Sequence, residues 1–230
     1  MLNKDFSSEV KNRLIQYHVK PFGDKNKEMI LISDTYRGVW LEHAYDSIML
    51  ATLYPEYTHV SINTMETFID YQKEDGQLPF AITSPSQDFY KLGFTQIQEV
   101  VSFTSLCKKV YLMTGNKKFL QKSYLACKKW DSWLRKYRMT TNRGLIEMFV
   151  GYDTGHDNSG RLQGMTYPAR YERNEAKILP PNDSVIPILA VDMNANFYGT
   201  EKTLSWMAKE LGLIQESQEW EESAKLIKNN

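Results

Sequence analysis

The chain has 230 residues, of which 42% are hydrophobic and 24% are charged, a composition typical of a globular protein with one sizeable core. Its 28 lysine and arginine residues balance its 28 aspartate and glutamate residues, which argues against binding nucleic acid or an anionic membrane through a global positive field. The N-terminal residues contain no apolar signal-like segment, and no stretch approaches the roughly 18 apolar residues of a membrane-spanning helix. We therefore expect a cytoplasmic protein that binds neither nucleic acid nor a membrane.

The periodicity of apolar residues is helical along most of the chain. An amphipathic helix is predicted at the N-terminus, and a short extended run follows at residues 29–32. Further helices are predicted at residues 42–53, 59–73, 95–113, 117–136, 191–211 and 216–228. Glycine stands near the end of several of these regions, as expected of residues that cap helix C-termini: Gly76, Gly115, Gly144 and Gly212.

Tight turns alternate with long connections in this pattern. Residues 75–94 and 139–190 are long, polar and proline-containing, and connections of that length in a compact domain are usually functional or disordered. The pattern predicts antiparallel helical hairpins whose long loops gather on one face. A repeat solenoid is the alternative, but no period of roughly 34 residues is visible. Residues 1–38 are expected to form a lead-in, and residues 39–230 the helical domain.

The two cysteines, Cys107 and Cys127, lie within predicted helices and match no metal-binding spacing. We expect them to be small buried thiols. His43 and His156 likewise lack the spacing of a metal site, so neither a metal nor another cofactor is expected.

The segment from Gly151 to Arg161, GYDTGHDNSGR, concentrates two carboxylates, an imidazole and a guanidinium in a glycine-rich loop. Its glycines permit a positive φ and close backbone approach, which favours a shaped loop over a helix face. A polar loop between helical regions is a frequent place for binding or catalytic groups. The alternative is an ordinary solvated turn, since the same residue types dominate turns.

Five segments in succession resemble motifs of the (α/α)6-barrel glycoside hydrolases, in particular the group with family 63 α-glucosidases, mannosylglycerate and glucosylglycerate hydrolases, and family 37 trehalases. The matching segments are AYDSIML (44–50), YQKEDGQLPF (71–80), GFTQIQEVV (93–101), YDTGHDNSGR (152–161) and VDMNANFY (191–198). Asp153 stands where that family usually has glutamate, and His156 where it usually has tryptophan. The glycine-rich trehalase signature is absent from residues 33–39, which lowers the resemblance to classical trehalases.

The resemblance implies an all-α fold, built of αα-hairpins from an (α/α)6 toroid, over residues 39–230. It implies an inverting hydrolase of a small α-linked glucoside or mannoside. The chain supplies about six barrel helices, whereas the family's general base is a glutamate in the C-terminal part of the toroid. We therefore expect an incomplete toroid without that base, which self-associates or binds a complementary C-terminal half.

Asp157 is the general acid implied by the resemblance. An inverting glycosidase needs two carboxyl groups about 6.5–9.5 Å apart, one to protonate the leaving oxygen and one to activate water. Asp157 must stay protonated near neutral pH, so burial or a neighbouring carboxylate such as Asp153 is expected to raise its pKa. Arg161 would clamp substrate oxygens, or instead form a structural ion pair with Asp153.

The other substrate-binding residues implied by the resemblance each have a structural alternative. Asp46 would bind sugar hydroxyls, or be a surface charge on its helix. Trp40 and Tyr45 would stack on a sugar ring, or belong to the core. Predicted sugar contacts are completed by Gln96, Gln98, Asp153 and His156.

Two interpretations from other functional classes are open. The chain could be a non-catalytic or split half-barrel that binds carbohydrate or a partner chain, an alternative favoured by the absent base. It could also be a helical scaffold for protein contacts, which predicts no cluster of polar groups on one face.

Overall fold

The computed structural model describes residues 4–33, 37–83, 92–98, 103–156, 159–160, 176–179 and 187–230. Within them the fold is mostly helical, as the sequence predicted. The helices are α1 Lys4–His18, α2 Ala44–Leu53, α3 Thr58–Asp70, α4 Phe103–Thr114, α5 Lys117–Tyr137, α6 Val191–Glu210 and α7 Ile214–Asn229. A 3-10 turn, Pro55–Tyr57, joins α2 to α3.

Six of these helices form antiparallel hairpins, α2–α3, α4–α5 and α6–α7. Helix α4 also packs against α2 and α6, so α2, α4 and α6 form one layer. The second layer contains α3, α5 and α7, in which the Tyr124 hydroxyl of α5 donates to Glu216 of α7 at 2.7 Å. These two layers are those of an incomplete αα-toroid, which confirms the predicted fold class.

One core joins the hairpins. Long apolar side chains from α4, α5 and α6 are fully buried there, among them Leu106, Trp130 and Phe197. The Trp130 and Trp133 rings of α5 stack with centroids 5.2 Å apart. Cys107 and Cys127 lie in this core as free thiols, which confirms their predicted burial. Burial raises the pKa of the Cys107 thiol, so this group is kept neutral.

Short strands supplement the helices. Strands β1 (Val19–Phe22) and β2 (Lys27–Ile30) form an antiparallel hairpin after α1. Strands β3 (Gly38–Trp40), β4 (Ala81–Thr83) and β5 (Leu92–Gly93) form a second antiparallel sheet in the order β3-β4-β5. The sequence predicted only the extended run that overlaps β2.

The helix boundaries agree with the predicted patterns except before α4. A helix was predicted from residue 95, but residues 92–93 form β5 and residues 94–98 are not helical. Ile97 is an apolar residue of this stretch, and it packs in the core from a segment that is not helical. The glycines Gly76, Gly115, Gly144 and Gly212 all have the positive φ expected at helix or turn ends.

Gly76 has a second constraint. A Cβ at this position would clash with the Lys129 carbonyl oxygen of α5, so only glycine permits this close approach. The Gln72 amide donates to the carbonyl oxygens of Gly76 and Ala126, at 2.8 and 2.9 Å. The connection after α3 is thereby fixed against the middle of α5.

In the part of the chain that the structure describes, no helix is both long and apolar enough to cross a lipid bilayer.

Candidate functional site

Residues 149–156, here called the Asp153 loop, contain most of the described part of the glycine-rich motif, which comprises residues 151–156 and 159–160. Asp153 is fully buried, and its Oδ2 atom accepts hydrogen bonds from the backbone N–H groups of Phe149 and Val150, at 2.7 and 3.0 Å. Its Oδ1 atom accepts from the backbone N–H of Ile97 at 3.1 Å. The same carboxylate therefore closes its own loop and attaches that loop to residues 92–98, here called the Gln98 segment.

Arg138, directly after α5, is the charged partner of Asp153. Both side chains are fully buried, and the Nη2 group of Arg138 bonds to Oδ2 of Asp153. The guanidinium also donates to the carbonyl oxygens of Glu147 at 2.9 Å and Ala176 at 3.1 Å, and lies 4.0 Å from the centroid of the Phe149 ring. Because a buried charge must be paired and hydrogen-bonded, these contacts fix the surrounding backbone segments relative to one another.

The contacts of Asp153 revise its expected role. The sequence predicted a sugar ligand, a neighbour of the general acid, or an ion-pair partner of Arg161. The described contacts fill both carboxylate oxygens with backbone donors and Arg138, so the geometry favours loop positioning over direct sugar contact. Asp157 and Arg161 lie outside the described residues, and their predicted roles stay predictions.

The Gln98 segment carries the other two predicted amide ligands. Gln96 is half-buried. Gln98 is only 4% exposed, and its backbone has a φ of 49°, in the left-handed region that non-glycine residues seldom adopt. Its Oε1 atom is buried and has no hydrogen-bond partner among the described residues. Strained backbone and an unpaired buried polar atom in one residue are signs of a functional position.

The β3-β4-β5 sheet links the Gln98 segment to Trp40, which precedes the first motif by four residues. In this sheet Trp40 is paired with Ala81, which in turn is paired with Gly93 at the start of the Gln98 segment. The half-buried Trp40 is therefore connected to the Gln98 segment through two strand pairings, and the Asp153 carboxylate binds the same segment at Ile97.

Tyr45 and Asp46 lie in the first turn of α2, and both are exposed. The ammonium of Lys109 lies 4.7 Å from the centroid of the Tyr45 ring, so Tyr45 faces α4 rather than the core. Asp46 lies at the edge of a groove of about 310 Å³ between α1, β2 and α2. Neighbouring atoms desolvate the Asp46 carboxylate and raise its pKa, against smaller opposing effects of His43 and His18.

His156 connects the Asp153 loop to α6. Its Nδ1 atom lies 3.1 Å from Oδ2 of Asp192, in the first turn of α6. Two residues further on, the Asn194 amide accepts from the backbone N–H of Ile146 at 2.8 Å and donates to the Ile146 carbonyl at 2.9 Å. Through Asp192 and Asn194, the VDMNANFY segment at the start of α6 thus binds the long connection that precedes it.

A further contact joins the two long connections. The Lys177 ammonium lies 2.8 Å from the Asp75 carboxylate, in addition to the bond between Asp153 and the N–H of Ile97. The described parts of the two long connections therefore contact each other at two points, in agreement with the hairpin pattern. This cluster of polar groups is what a simple helical scaffold was not expected to have.

Sequence reasoning missed Arg138, because a single arginine after a lysine-rich helix has no distinguishing spacing. One signal was present in the composition of the connection. A buried loop that holds Glu147 and Asp153 needs cationic or N–H partners, and Arg138 and Arg143 flank it on its N-terminal side. Among the described residues, no group of three histidine, cysteine, aspartate or glutamate side chains is arranged to hold a metal ion.

Residues 38–230 match the family model of the mannosylglycerate hydrolase MGH1-like glycoside hydrolase domain, and the chain belongs to that family. A search of the curated proteins finds no match.

Solved structures from Thermus thermophilus share the fold. A GH63 mannosylglycerate hydrolase in complex with glucose has a TM-score of 0.70 at 15% identity, with 95% of this chain and 61% of that chain covered. The same enzyme in complex with Tris has a TM-score of 0.64 at 16% identity, with coverage of 97% and 63%. An uncharacterized conserved protein has a TM-score of 0.67 at 15% identity, with coverage of 94% and 62%. The chain thus spans about three fifths of the length of these structures.

Proposed function

We propose that this chain carries the general acid and part of the sugar site of an inverting glycoside hydrolase that acts on a small α-linked glucoside or mannoside. The observation that carries the proposal is the family match over residues 38–230, which includes the glycine-rich motif. The name of the Thermus relative suggests mannosylglycerate, a mannoside with a small charged aglycone, as the first substrate to test.

In this proposal Asp157 donates a proton to the leaving oxygen, and Arg161 binds substrate oxygens through its planar fork. Sugar hydroxyl groups are bound where the two long connections meet, by Gln96, Gln98 and His156. The sugar is also bound by residues of β3 and α2, namely Trp40, Tyr45 and Asp46. Asp153 positions the loop, and the base that activates water comes from a part of the fold that the chain does not match.

A complementary C-terminal half or a second copy is the partner that we propose for completing the toroid. The chain matches about three fifths of each related structure, and the proposed partner would supply the remainder. The setting that we propose is the cytoplasm, where the substrate is a small solute.

The role of Asp157 as general acid is tested in an assembly that hydrolyses substrate. Asp157→Asn should lower the rate by about 10²–10⁴ on mannosides with poor leaving groups. Glycosyl fluorides need little protonation and should be hydrolysed much better by this variant. The matched control is Glu222→Gln, which removes an exposed carboxylate on α7 and should leave both rates unchanged. Equal losses on both substrate types would show that Asp157 does not donate the proton.

A non-catalytic half-barrel that binds carbohydrate is the second candidate, and the buried Oε1 atom of Gln98, without a hydrogen-bond partner among the described residues, supports sugar binding independently of catalysis. Calorimetry with glucose, mannose and mannosylglycerate, together with an assay of released sugar, separates the two. Binding without release in every assembly, including one with a complementary half, would favour the second candidate.

A further inference from the structure

We propose that Arg138 and Asp153 are positioning residues that set the place and the backbone conformation of Gln98, and that Gln98 is the sugar-binding residue that depends on them. This inference rests on the proposed sugar-binding function. It adds Arg138, a residue outside the glycine-rich motif. It also states the order of dependence: Arg138 positions Asp153, and Asp153 positions Gln98.

Arg138 is the fixed end of the arrangement. Arg138 directly follows α5, and its N–H donates to the Leu134 carbonyl at 2.8 Å. The backbone of Arg138 therefore continues from a buried helix. Its guanidinium is fully buried and is held by the carbonyl oxygens of Glu147 and Ala176 and by the Phe149 ring. A planar fork with this many fixed acceptors has little freedom to reorient.

Asp153 transmits that fixed position to the Gln98 segment. Its Oδ2 atom faces Arg138 and the N–H groups of Phe149 and Val150, and this leaves Oδ1 for the N–H of Ile97. Ile97 is 1% exposed and belongs to the core. The backbone directly before Gln98 is therefore fixed in two ways, by the apolar packing of Ile97 and by the hydrogen bond from its N–H to a charged acceptor.

Gln98 has the features of a residue that is held for a ligand. A left-handed φ at a non-glycine residue persists only where the surroundings over-determine it, and the bond to Ile97 is one such constraint. Its Oε1 atom is buried, without a hydrogen-bond partner among the described residues, in a side chain that is almost fully buried. A buried amide oxygen in that state is stabilised when a ligand hydroxyl donates to it, and hydroxyl groups are what a sugar supplies.

The test is a double-mutant cycle on sugar affinity. Calorimetry with mannosylglycerate and with glucose is carried out on the unmodified chain, Gln98→Ala, Asp153→Asn and the double variant. The two single variants should each weaken binding about tenfold, the loss of one hydrogen bond. The double variant should be little weaker than either single one, because both changes remove the same contact. Losses that multiply to about a hundredfold would overturn the proposal.

Glu147→Gln is the matched control. Glu147 is an equally buried carboxylate in the same connection, but it binds Thr140 and Thr141 instead of the Gln98 segment. Its effect on affinity should be small and should multiply with that of Gln98→Ala. Asp153→Glu keeps the charge and is the rescue variant, and it should restore most of the affinity lost in Asp153→Asn.

Amide hydrogen exchange separates failure of this inference from failure of the proposed function. If the unmodified chain binds none of the sugars, the proposed binding function fails, and exchange then decides the positioning role. Asp153→Asn should speed exchange at Ile97, Phe149 and Val150 while the amides of α5 stay protected. Unchanged protection at Ile97 would overturn the role of Asp153. If Asp153→Asn does not fold, Arg138→Lys, which keeps the charge, is measured in the same two assays with the same criteria.

Discussion

Helix α5 and the connection that follows it are buried to a similar depth by different means. The buried face of α5 is mostly apolar, with Leu120, Trp130 and Leu134, and among the described residues of this helix Asp131 is the one charged side chain buried on it. The connection buries apolar side chains such as Met148 as well, but it also buries three charged groups, since Arg138, Glu147 and Asp153 are all fully buried. The comparison shows that the helical layers depend mainly on apolar packing, whereas the face that carries the candidate site depends in addition on paired and hydrogen-bonded charges.

One buried carboxylate in each region, Glu147 and Asp131, shows how the two regions differ in the hydrogen bonding of buried charges. Burial alone would raise the pKa of Glu147, but hydrogen bonds from Thr141 and Thr140 outweigh it and lower this pKa below its usual value. In α5, burial raises the pKa of Asp131, and Arg135 offsets this effect only in part. Asp131 Oδ1 has no hydrogen-bond partner among the described residues. Glu147 is thus hydrogen-bonded by the protein at both carboxylate oxygens, whereas Asp131 is hydrogen-bonded at only one among the described residues.

The largest expected effect is that of breaking the buried ion pair. Arg138→Met leaves the Asp153 carboxylate buried without its cation, and we expect a loss of about 3–5 kcal/mol in the free energy of unfolding. Urea denaturation monitored by tryptophan fluorescence measures it. Arg143→Met is the control, because Arg143 is exposed in the same connection. A loss below about 1 kcal/mol for Arg138→Met would mean that the pair is not buried in solution.

The apolar region should respond to a change of volume instead of charge. Leu134→Ala removes a fully buried side chain next to Trp130 on α5, and should cost about 2–5 kcal/mol. Leu125 lies on the same helix and is 54% exposed, so Leu125→Ala should change stability by less than about 0.5 kcal/mol. Similar losses in the two variants would contradict the assignment of the buried face.

These two regions also differ in what the sequence could predict. The helices follow from apolar periodicity, so the bounds of α5 and α6 agree within one residue with residues 117–136 and 191–211. The β3-β4-β5 sheet could not be predicted, because strands of two or three residues are too short for a period-2 pattern. The glycine-rich motif was identified, but the partner of Asp153 was not, since the pairing of Arg138 with Asp153 depends on how the loop between them folds, and that loop has no periodic pattern.

A smaller effect is expected at the start of α5. The Asn116 side chain caps this helix by accepting a hydrogen bond from the Phe119 N–H at 3.1 Å. Asn116→Ala should lower the free energy of unfolding by about 1 kcal/mol, measured by urea denaturation. Asn116→Asp keeps an oxygen acceptor and should be close to the unmodified chain. Equal losses in the two variants would mean that the cap contributes little.

The smallest effects, and the most direct test of the contrast between the carboxylates, are expected in the pH dependence of stability. The pKa of Glu147 is lowered in the folded state, so its contribution is present above its unfolded pKa of about 4.3 and is lost as pH falls. The pKa of Asp131 is raised, so its contribution is present below its unfolded pKa of about 3.9 and is lost as pH rises through the folded value.

Replacement by the neutral amide removes each contribution, and the two variants should therefore change in opposite directions. Relative to the unmodified chain, Glu147→Gln should become less stable as pH rises from about 3 to about 7, whereas Asp131→Asn should become more stable over the same range. Urea midpoints measured at several pH values give both slopes, and the double variant should show their sum, because the carboxylates occupy separate elements. Slopes of the same sign would show that the two environments do not differ as the structure indicates. A flat line for Glu147→Gln alone would place that carboxylate in water instead of against Thr140 and Thr141.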